Sequence, residues 1–413
     1  MISSTPVTNE PEDRSLTTTA TPRAAADAVP LRCSILRGGT SRAVFFLAND
    51  LPAERAAIEP ILLNVFGSPD MRQIDGLGGA TSQTSKAAII GPPSRPDADV
   101  DYTFAQVAVS DALVDWGGNC GNISTAVGPF AIDQGFVRAA DPITTVRFHN
   151  TNTGKIIVGH VPVRGGRAAL EGDFALPGVP GTGARILLEF GDPAGSLTGK
   201  LLPTGRPRDL VELADGRSVE VSIVDAANVV VFVAAEALGF RGTELPLVIE
   251  AAKAATDALE EIRSVVAEWL GLTADRRGAT KTTPGLPKIG FVARPMAYRT
   301  TTGVDVPEAA IDLTGRLMSM QTAHRSYMAT GAIATAVAAM IEGTIVHEIV
   351  RPVAARPIAE SIRIAHPYGV MEAVVNGDGP APLPAIRGVA IARTARHILD
   401  GQVWVPRRLV VGA

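Results

Sequence analysis

Apolar and polar positions change period along the chain, and the changes outline its elements. Residues 31–36 alternate and are rich in strand-forming types, which predicts a strand. Gly38-Gly39 breaks it, and 43–47 (Ala-Val-Phe-Phe-Leu) resumes as a second strand. Over 50–66 the residues Leu51, Ile58, Ile61, Leu62 and Val65 fall at helical spacing. A glycine-rich loop, Asp75-Gly76-Leu77-Gly78-Gly79-Ala80, then leads to strands at 86–90 and 102–109. After a turn at Trp116-Gly117-Gly118-Asn119 the spacing becomes helical from Gly121, with Ile123, Val127, Phe130 and Ala131. That stretch is apolar on every side, so the helix is expected to be buried. Strands are predicted at 144–150 and 155–162, and Asp192-Pro193-Ala194-Gly195-Ser196 is the best candidate linker. Further on, the pattern predicts a long helix over 248–270, a strand over 288–293, and a loop followed by a second buried helix within 313–340. The end, 388–405, reads as strand, turn, strand.

Two octapeptides read as copies. Cys120-Gly121-Asn122-Ile123-Ser124-Thr125-Ala126-Val127 and Thr330-Gly331-Ala332-Ile333-Ala334-Thr335-Ala336-Val337 share Gly, Ile, Thr, Ala and Val at an offset of 330 − 120 = 210. A weaker repeat relates 33–36, a break and 43–47 to 221–224, a break and 229–233, at 222 − 34 = 188. The unequal offsets require different insertions in two related halves, with a site expected between them. A length of 413 residues also calls for two domains. The expected division is a disordered tail over 1–30, a first domain over 31–195 completed by 386–413, and a second over 196–385. Each half has many short strands and one helix apolar all round, so strands wrapped about a central helix are expected. The first position of the octapeptide carries a thiol in one half and a hydroxyl in the other.

Composition narrows the function. Hydrophobic residues make up 46% and charged residues 19%, as in ordinary globular proteins. Aromatics at 5% and a net charge of −4 exclude a base-stacking or phosphate-tracking surface, so no nucleic-acid partner is expected. No apolar run reaches the ~18 residues of a membrane span. Two cysteines make no disulfide framework and suit a reducing compartment. The first thirty residues lack the apolar core of a secretory signal, and Glu10, Glu12 and Asp13 argue against a transit peptide. The cytoplasm is the expected location.

Among residues able to carry chemistry, Cys120 stands first. It immediately precedes a helix start, where unpaired N–H groups favour a thiolate and a substrate carboxylate alike. A buried structural cysteine is the competing reading, and it is the reading for Cys33 inside its strand. Lys86 opens a strand after a Gly/Ser/Thr loop, and burial there would lower its pKa toward that of a base. Arg37-Gly38-Gly39-Thr40-Ser41-Arg42 combines backbone access, hydroxyls and a guanidinium fork, the parts of an anion cradle or of a simple hairpin turn. His324 and His366 have no partner at metal-ligand spacing, so no metal is expected. Neither the Walker lysine loop nor the dinucleotide fingerprint is present.

Taken together, Leu36-Arg37-Gly38-Gly39-Thr40-Ser41, Ser85-Lys86, Gly118-Asn119-Cys120-Gly121-Asn122 and Thr330-Gly331-Ala332 resemble the 2-methylaconitate cis–trans isomerase (PrpF) family. Asn152-Thr153-Gly154-Lys155 and Leu201-Leu202-Pro203-Thr204-Gly205 are similar to it as well, and the resemblance runs from Leu31 to the C-terminus. It implies the diaminopimelate epimerase-like α/β fold, with two pseudo-symmetric domains and a site in the cleft at the N-termini of both central helices. Two-thiol epimerases of that fold carry a cysteine in each half. Thr330 departs from that pattern and speaks against amino-acid epimerisation.

By motif the resemblance implies Lys86 and Cys120 as the acid/base pair. It implies substrate contacts at Arg37, Gly38, Gly39, Thr40, Ser41, Ser85, Asn119, Gly121, Asn122, His324, Thr330 and Gly331. The implied activity is a cofactor-free 1,3-allylic or cis–trans proton shift on an unsaturated di- or tricarboxylate such as 2-methylaconitate or aconitate. Tautomerisation of 4-oxalomesaconate and isomerisation of methylitaconate are alternatives within the family. An amino-acid epimerase or racemase and a non-catalytic carboxylate-binding protein are alternatives from other classes. A small-molecule carboxylate is the expected partner, and a homodimer the expected assembly.

Overall fold

A computed structural model of the chain describes residues 27–350, 361–378 and 385–410. It is a mixed α/β structure built on one continuous sheet whose two runs of strands repeat each other. In the first run Ala28–Gly38 and Ser41–Leu47 form an antiparallel hairpin. Its two-residue turn needs a positive φ, which Gly39 supplies at 52°. The chain crosses through the helix Arg55–Phe66 to Lys86–Gly91, parallel to Ser41–Leu47. Val100–Val107 lies antiparallel beside it. A second crossover through the helix Gly121–Asp133 brings Ile143–Asn150 parallel to Val100–Val107. Lys155–Arg164 and Ile186–Gly191 then extend the sheet antiparallel.

The second run follows the same sequence of directions. Ser218–Ala226 and Asn228–Ala234 form the hairpin. The helix Lys253–Trp269 leads to the parallel strand Lys288–Ala293, with Leu313–Ser319 antiparallel beside it. The helix Ala329–Ala339 then leads to Ser361–His366, parallel to Leu313–Ser319. Gly369–Asp378 and Ala385–Arg393 complete the run. The runs join where Ile186–Gly191 pairs with Ala385–Arg393, and Ala395–Pro406 pairs with the first strand.

Parallel neighbours require a crossover, and each run uses one helix outside the sheet and one inside. Arg55–Phe66 buries one face, with Ile58, Ile61, Leu62, Val65 and Phe66. Gly121–Asp133 and Ala329–Ala339 are buried on all sides up to their last turns, as their patterning predicts. Ile123, Val127, Phe130, Ile333 and Val337 belong to one core that spans both halves. Each large apolar side chain there contributes roughly 1.5–3 kcal/mol by burial. Separate cores lie under the two outer helices.

Several boundaries differ from expectation. The first strand begins at Ala28 rather than Leu31, because it pairs with the C-terminal strand from Ala28↔Pro406 onward. The rest of the expected tail, residues 1–26, lies outside the described residues. The single helix expected over 248–270 is two, Pro246–Ala251 and Lys253–Trp269, because Ala252 leaves the helical region at φ −82°, ψ 69°. The segment expected as a linker is fastened down. Asp225 accepts hydrogen bonds from Ser196 Oγ (2.6 Å), Leu197 N (3.0 Å) and Thr198 N (2.7 Å). Among the described residues no helix is long and apolar enough to cross a membrane.

Candidate active site

The two buried helices begin against each other. Cys120 caps the first in an extended conformation (φ −116°, ψ 97°), and its side chain makes no capping bond. The second starts at Ala329, so Thr330 sits one residue inside it. Contact is close enough that a Cβ built on Gly121 would lie 2.8 Å from Ala329 Cβ and 3.2 Å from Thr330 N. Glycine is therefore required where the halves meet.

Asn228 locks this junction. It follows Ala227, which turns the second hairpin at φ 61°, a conformation that costs a non-glycine residue about 1–2 kcal/mol. Asn228 Nδ2 donates to Asn119 O (3.0 Å) and to Thr330 Oγ1 (3.1 Å), while Asn119 N donates to Asn228 Oδ1 (3.3 Å). One buried amide thus ties the residue before Cys120 to the start of the other helix.

A cavity of about 40 Å³, room for a few water molecules, lies at the junction. Its wall includes Ser41, Lys86, Asn119, Cys120, Gly121, Asn122, His324 and Thr330. The structure therefore brings eight of the expected site residues together. A larger cavity of about 680 Å³ adjoins it and shares Ser82, Gln83, Gln106 and His324 with it.

Lys86 faces Gln106 across paired strands, and its Nζ donates to Gln106 Oε1. The Gln106 amide is held in that sense because its Nε2 donates to Ser85 O (2.8 Å) and Ser82 O (3.1 Å). Burial pushes the Lys86 amine below its ordinary value, partly offset by Cys120 and then Asp115. Its Nζ lies 5.3 Å from the centre of the Phe104 ring. His324 is buried and its Nδ1 accepts from Ser326 N at 3.2 Å. Burial lowers it to about 3, so it is neutral near pH 7. Ser41 Oγ is buried, has no hydrogen-bond partner among the described residues, and lies on the cavity wall.

Six expected contacts stand back from the cavity. Arg37 is spent on backbone: its Nη1 donates to Gly39 O and Thr394 O, both at 2.8 Å, so it braces the hairpin turn. Gly38 and Gly39 allow that turn to dock on the first central helix, since a Cβ on either would fall 2.3 Å from Asn122 O or 2.2 Å from Asn122 Oδ1. Thr40 completes the dock by accepting from Asn122 Nδ2 at 3.2 Å. Ser85 Oγ is taken by Gln73 Nε2 at 2.7 Å. Gly331 instead lets its helix approach Leu317, whose Cδ1 would lie 2.3 Å from an added Cβ. His366 is buried behind His324, with its Nδ1 3.4 Å from Ser326 Oγ.

Sequence reasoning missed Lys288, Asn228, Gln106 and Asp115, all on the cavity wall. A signal existed for Lys288, which opens a second-half strand as Lys86 opens its counterpart. Burial lowers its amine to about 8, and Asp115 pulls it back upward.

Comparison with known proteins agrees with this architecture. The family described as PrpF protein matches residues 28–406. The chain is 45% identical over 388 residues to the 3-methylitaconate isomerase of Eubacterium barkeri, covering 94% of this chain and 100% of that protein. It is 37% identical over 391 residues to the 2-methyl-aconitate isomerase of Cupriavidus necator, covering 92% and 98%. Among solved structures, a methylitaconate-delta-isomerase matches with a TM-score of 0.75 at 44% identity, over 94% of this chain and 98% of that one. A hydroxyproline epimerase from Agrobacterium vitis matches with a TM-score of 0.54 at 11% identity, over 93% and 95%, a likeness of fold alone. The diaminopimelate epimerase-like fold expected from the sequence is the fold of this chain.

Proposed function

Since the chain belongs to the PrpF family and is an isomerase, we propose that it shifts a proton along an unsaturated dicarboxylic acid of the methylitaconate kind. The observation that carries this reading is a buried amine and a free thiol, Lys86 and Cys120, on the wall of one cavity where two helices begin. The acid approaches through the larger cavity. Lys86, whose amine burial shifts toward the neutral form, takes a proton from the carbon next to a carboxylate. The C–H electron pair enters the allylic system as a dienolate. Cys120 gives its S–H proton to the far allylic carbon, and the new ammonium then returns a proton to the thiolate. The unpaired N–H groups at the helix starts and the Ser41 hydroxyl stabilise the developing charge. The higher identity to the methylitaconate enzyme, 45% against 37%, favours a methylitaconate over a methylaconitate as first substrate.

The test is NMR in D₂O with 3-methylitaconate, 2-methylaconitate, aconitate and 4-oxalomesaconate. One of them should isomerise with solvent deuterium at the newly protonated carbon. Lys86→Ala and Cys120→Ser should each lose ~10²–10⁴ in kcat while melting near the wild type. Isomerisation with no deuterium uptake, or either variant at full activity, refutes the acid/base assignment.

A further inference from the structure

The registers of the two hairpins make Lys86 and Lys288 equivalent. Phe45 pairs with Ser34 on one side and Ala88 on the other, and Phe232 pairs with Ser222 and Gly290 in the same senses. Each lysine stands two residues before the last of these partners. The pseudo-two-fold therefore points one amine from each half into a single cavity.

The two amines are not engaged alike. Lys86 is buried and bonded to Gln106. Lys288 is half-buried at the cavity wall and, among the described residues, makes no hydrogen bond or close ion pair. Among the described residues no arginine lines this cavity: Arg37, the guanidinium expected there, is held by Gly39 O and Thr394 O. Among the described residues on this wall the basic amines are Lys86 and Lys288, and Lys86 is committed to the proton.

We propose that Lys288 is the carboxylate anchor of the site: its ammonium pairs with one carboxylate of a dicarboxylic substrate while Lys86 and Cys120 act on the carbon chain from the opposite half. The first half then does the chemistry and the second holds the acid. Thr330 fits this division, since its hydroxyl is already accepting from Asn228. Burial lowers the amine to about 8, with Asp115 and Cys120 opposing the shift and Lys86 and Arg263 adding to it; it stays largely protonated at pH 7, and a bound carboxylate holds it charged.

This inference rests on the isomerase reading, and its test separates the two. Lys288→Met and Lys288→Arg are assayed in the full chain with 3-methylitaconate and with each of its two monomethyl esters. A charge-assisted hydrogen bond to carboxylate is worth about 10- to 100-fold. Lys288→Met should raise KM for the diacid by about that factor and leave kcat nearly unchanged, and Lys288→Arg should recover most of the loss. For the monoester that lacks the anchored carboxylate, wild type and Lys288→Met should have equal KM. A fall in kcat at constant KM that arginine does not rescue would make Lys288 a proton donor and overturn the anchor, as would unchanged kinetics. A wild type that turns over no diacid refutes the isomerase reading instead. Calorimetric binding of itaconate then decides for Lys288 alone, which is the anchor only if Lys288→Met weakens that binding about 10-fold or more.

Discussion

Gly121→Ala inserts one methyl group between the halves. The added Cβ would lie 2.8 Å from Ala329 Cβ, 3.2 Å from Thr330 N and 3.3 Å from Thr330 Cγ2. Two of those neighbours are fixed by the backbone of a buried helix, so no side chain can swing aside. An ordinary contact begins near 3.4 Å, and the helix starts must separate by more than half an ångström. Overpacking of this kind costs about 1–3 kcal/mol, partly offset by up to about 1 kcal/mol of helix propensity gained over glycine. Stability should therefore fall by no more than about 3 kcal/mol. Activity should fall further, because a misplacement near 1 Å costs on the order of 100-fold in rate. Gly191→Ala is the control: nothing lies within 4 Å of its added Cβ, and its φ is not positive. The assay is kcat/KM beside urea midpoints for both variants. If Gly121→Ala retains wild-type kcat/KM with a normal midpoint, the helix starts need not touch for the site to work, and the junction described above is not what aligns it.

Asn228→Ala removes three hydrogen bonds and leaves Thr330 Oγ1 and the Asn119 peptide without that partner at the buried junction. It should cost about 2–4 kcal/mol in stability and lower kcat at least 10-fold, with Asn228→Asp intermediate in both; equal kcat for wild type and Asn228→Ala would remove Asn228 from the alignment of Cys120. His324 governs part of the acid stability. Its folded value of about 3 lies below the unfolded 6.5, so the unfolded chain takes up the proton first and stability is lost as pH falls from about 6.5 toward 3. At pH 5 the loss is about 2 kcal/mol. His324→Asn, which keeps an acceptor for Ser326 N, should flatten the drop in urea stability between pH 7 and pH 5 by about that amount; an unaltered drop would mean that His324 is not buried neutral.

How much of this was legible from residues alone follows from how local each signal is. The buried helices were readable because a helix enclosed by strands must be small and apolar all round, and that composition is written into Gly121–Asp133 and Ala329–Ala339 themselves. The hairpin repeat was readable for a similar reason, although the registers Ser34↔Phe45 and Ser222↔Phe232 equate Phe232 with Phe45, one residue away from the match of 43–47 with 229–233. Lys288 opens its strand as Lys86 does, but it was missed because the offset between them, 288 − 86 = 202, equals neither 188 nor 210, and strand pairing is what fixes the correspondence. Arg37 was misplaced because a guanidinium near a glycine turn serves a ligand or a carbonyl equally well. The carbonyl that claims it, Thr394 O, arrives from 357 residues away. Asn228 gave no signal at all: a lone asparagine at a turn is common, and its partners lie about 100 residues away in each direction.

A frame with two-fold pseudo-symmetry offers each site position twice, and function comes from filling the copies differently. Here the octapeptide position holds sulfur in Cys120 and a hydroxyl in Thr330, and among the described residues only the hydroxyl is engaged, accepting from Asn228. That bond requires an oxygen: a thiol in its place accepts weakly, so a cysteine there would loosen the tie that fixes the helix carrying it. The same Asn228 amide holds the peptide next to Cys120, so the threonine half stabilises the placement of the thiol half. The lysine copies divide in parallel, one amine bonded to Gln106 and buried, the other at the cavity wall with no hydrogen bond among the described residues. A racemase needs equivalent groups on both faces of one carbon. An allylic isomerase needs a proton-transfer end and a holding end, because its substrate is longer than one centre and charged at both termini. The proposed roles of Lys86, Cys120 and Lys288 are of the second kind, and the asymmetry of the side chains extends to the hydrogen bonds that support them.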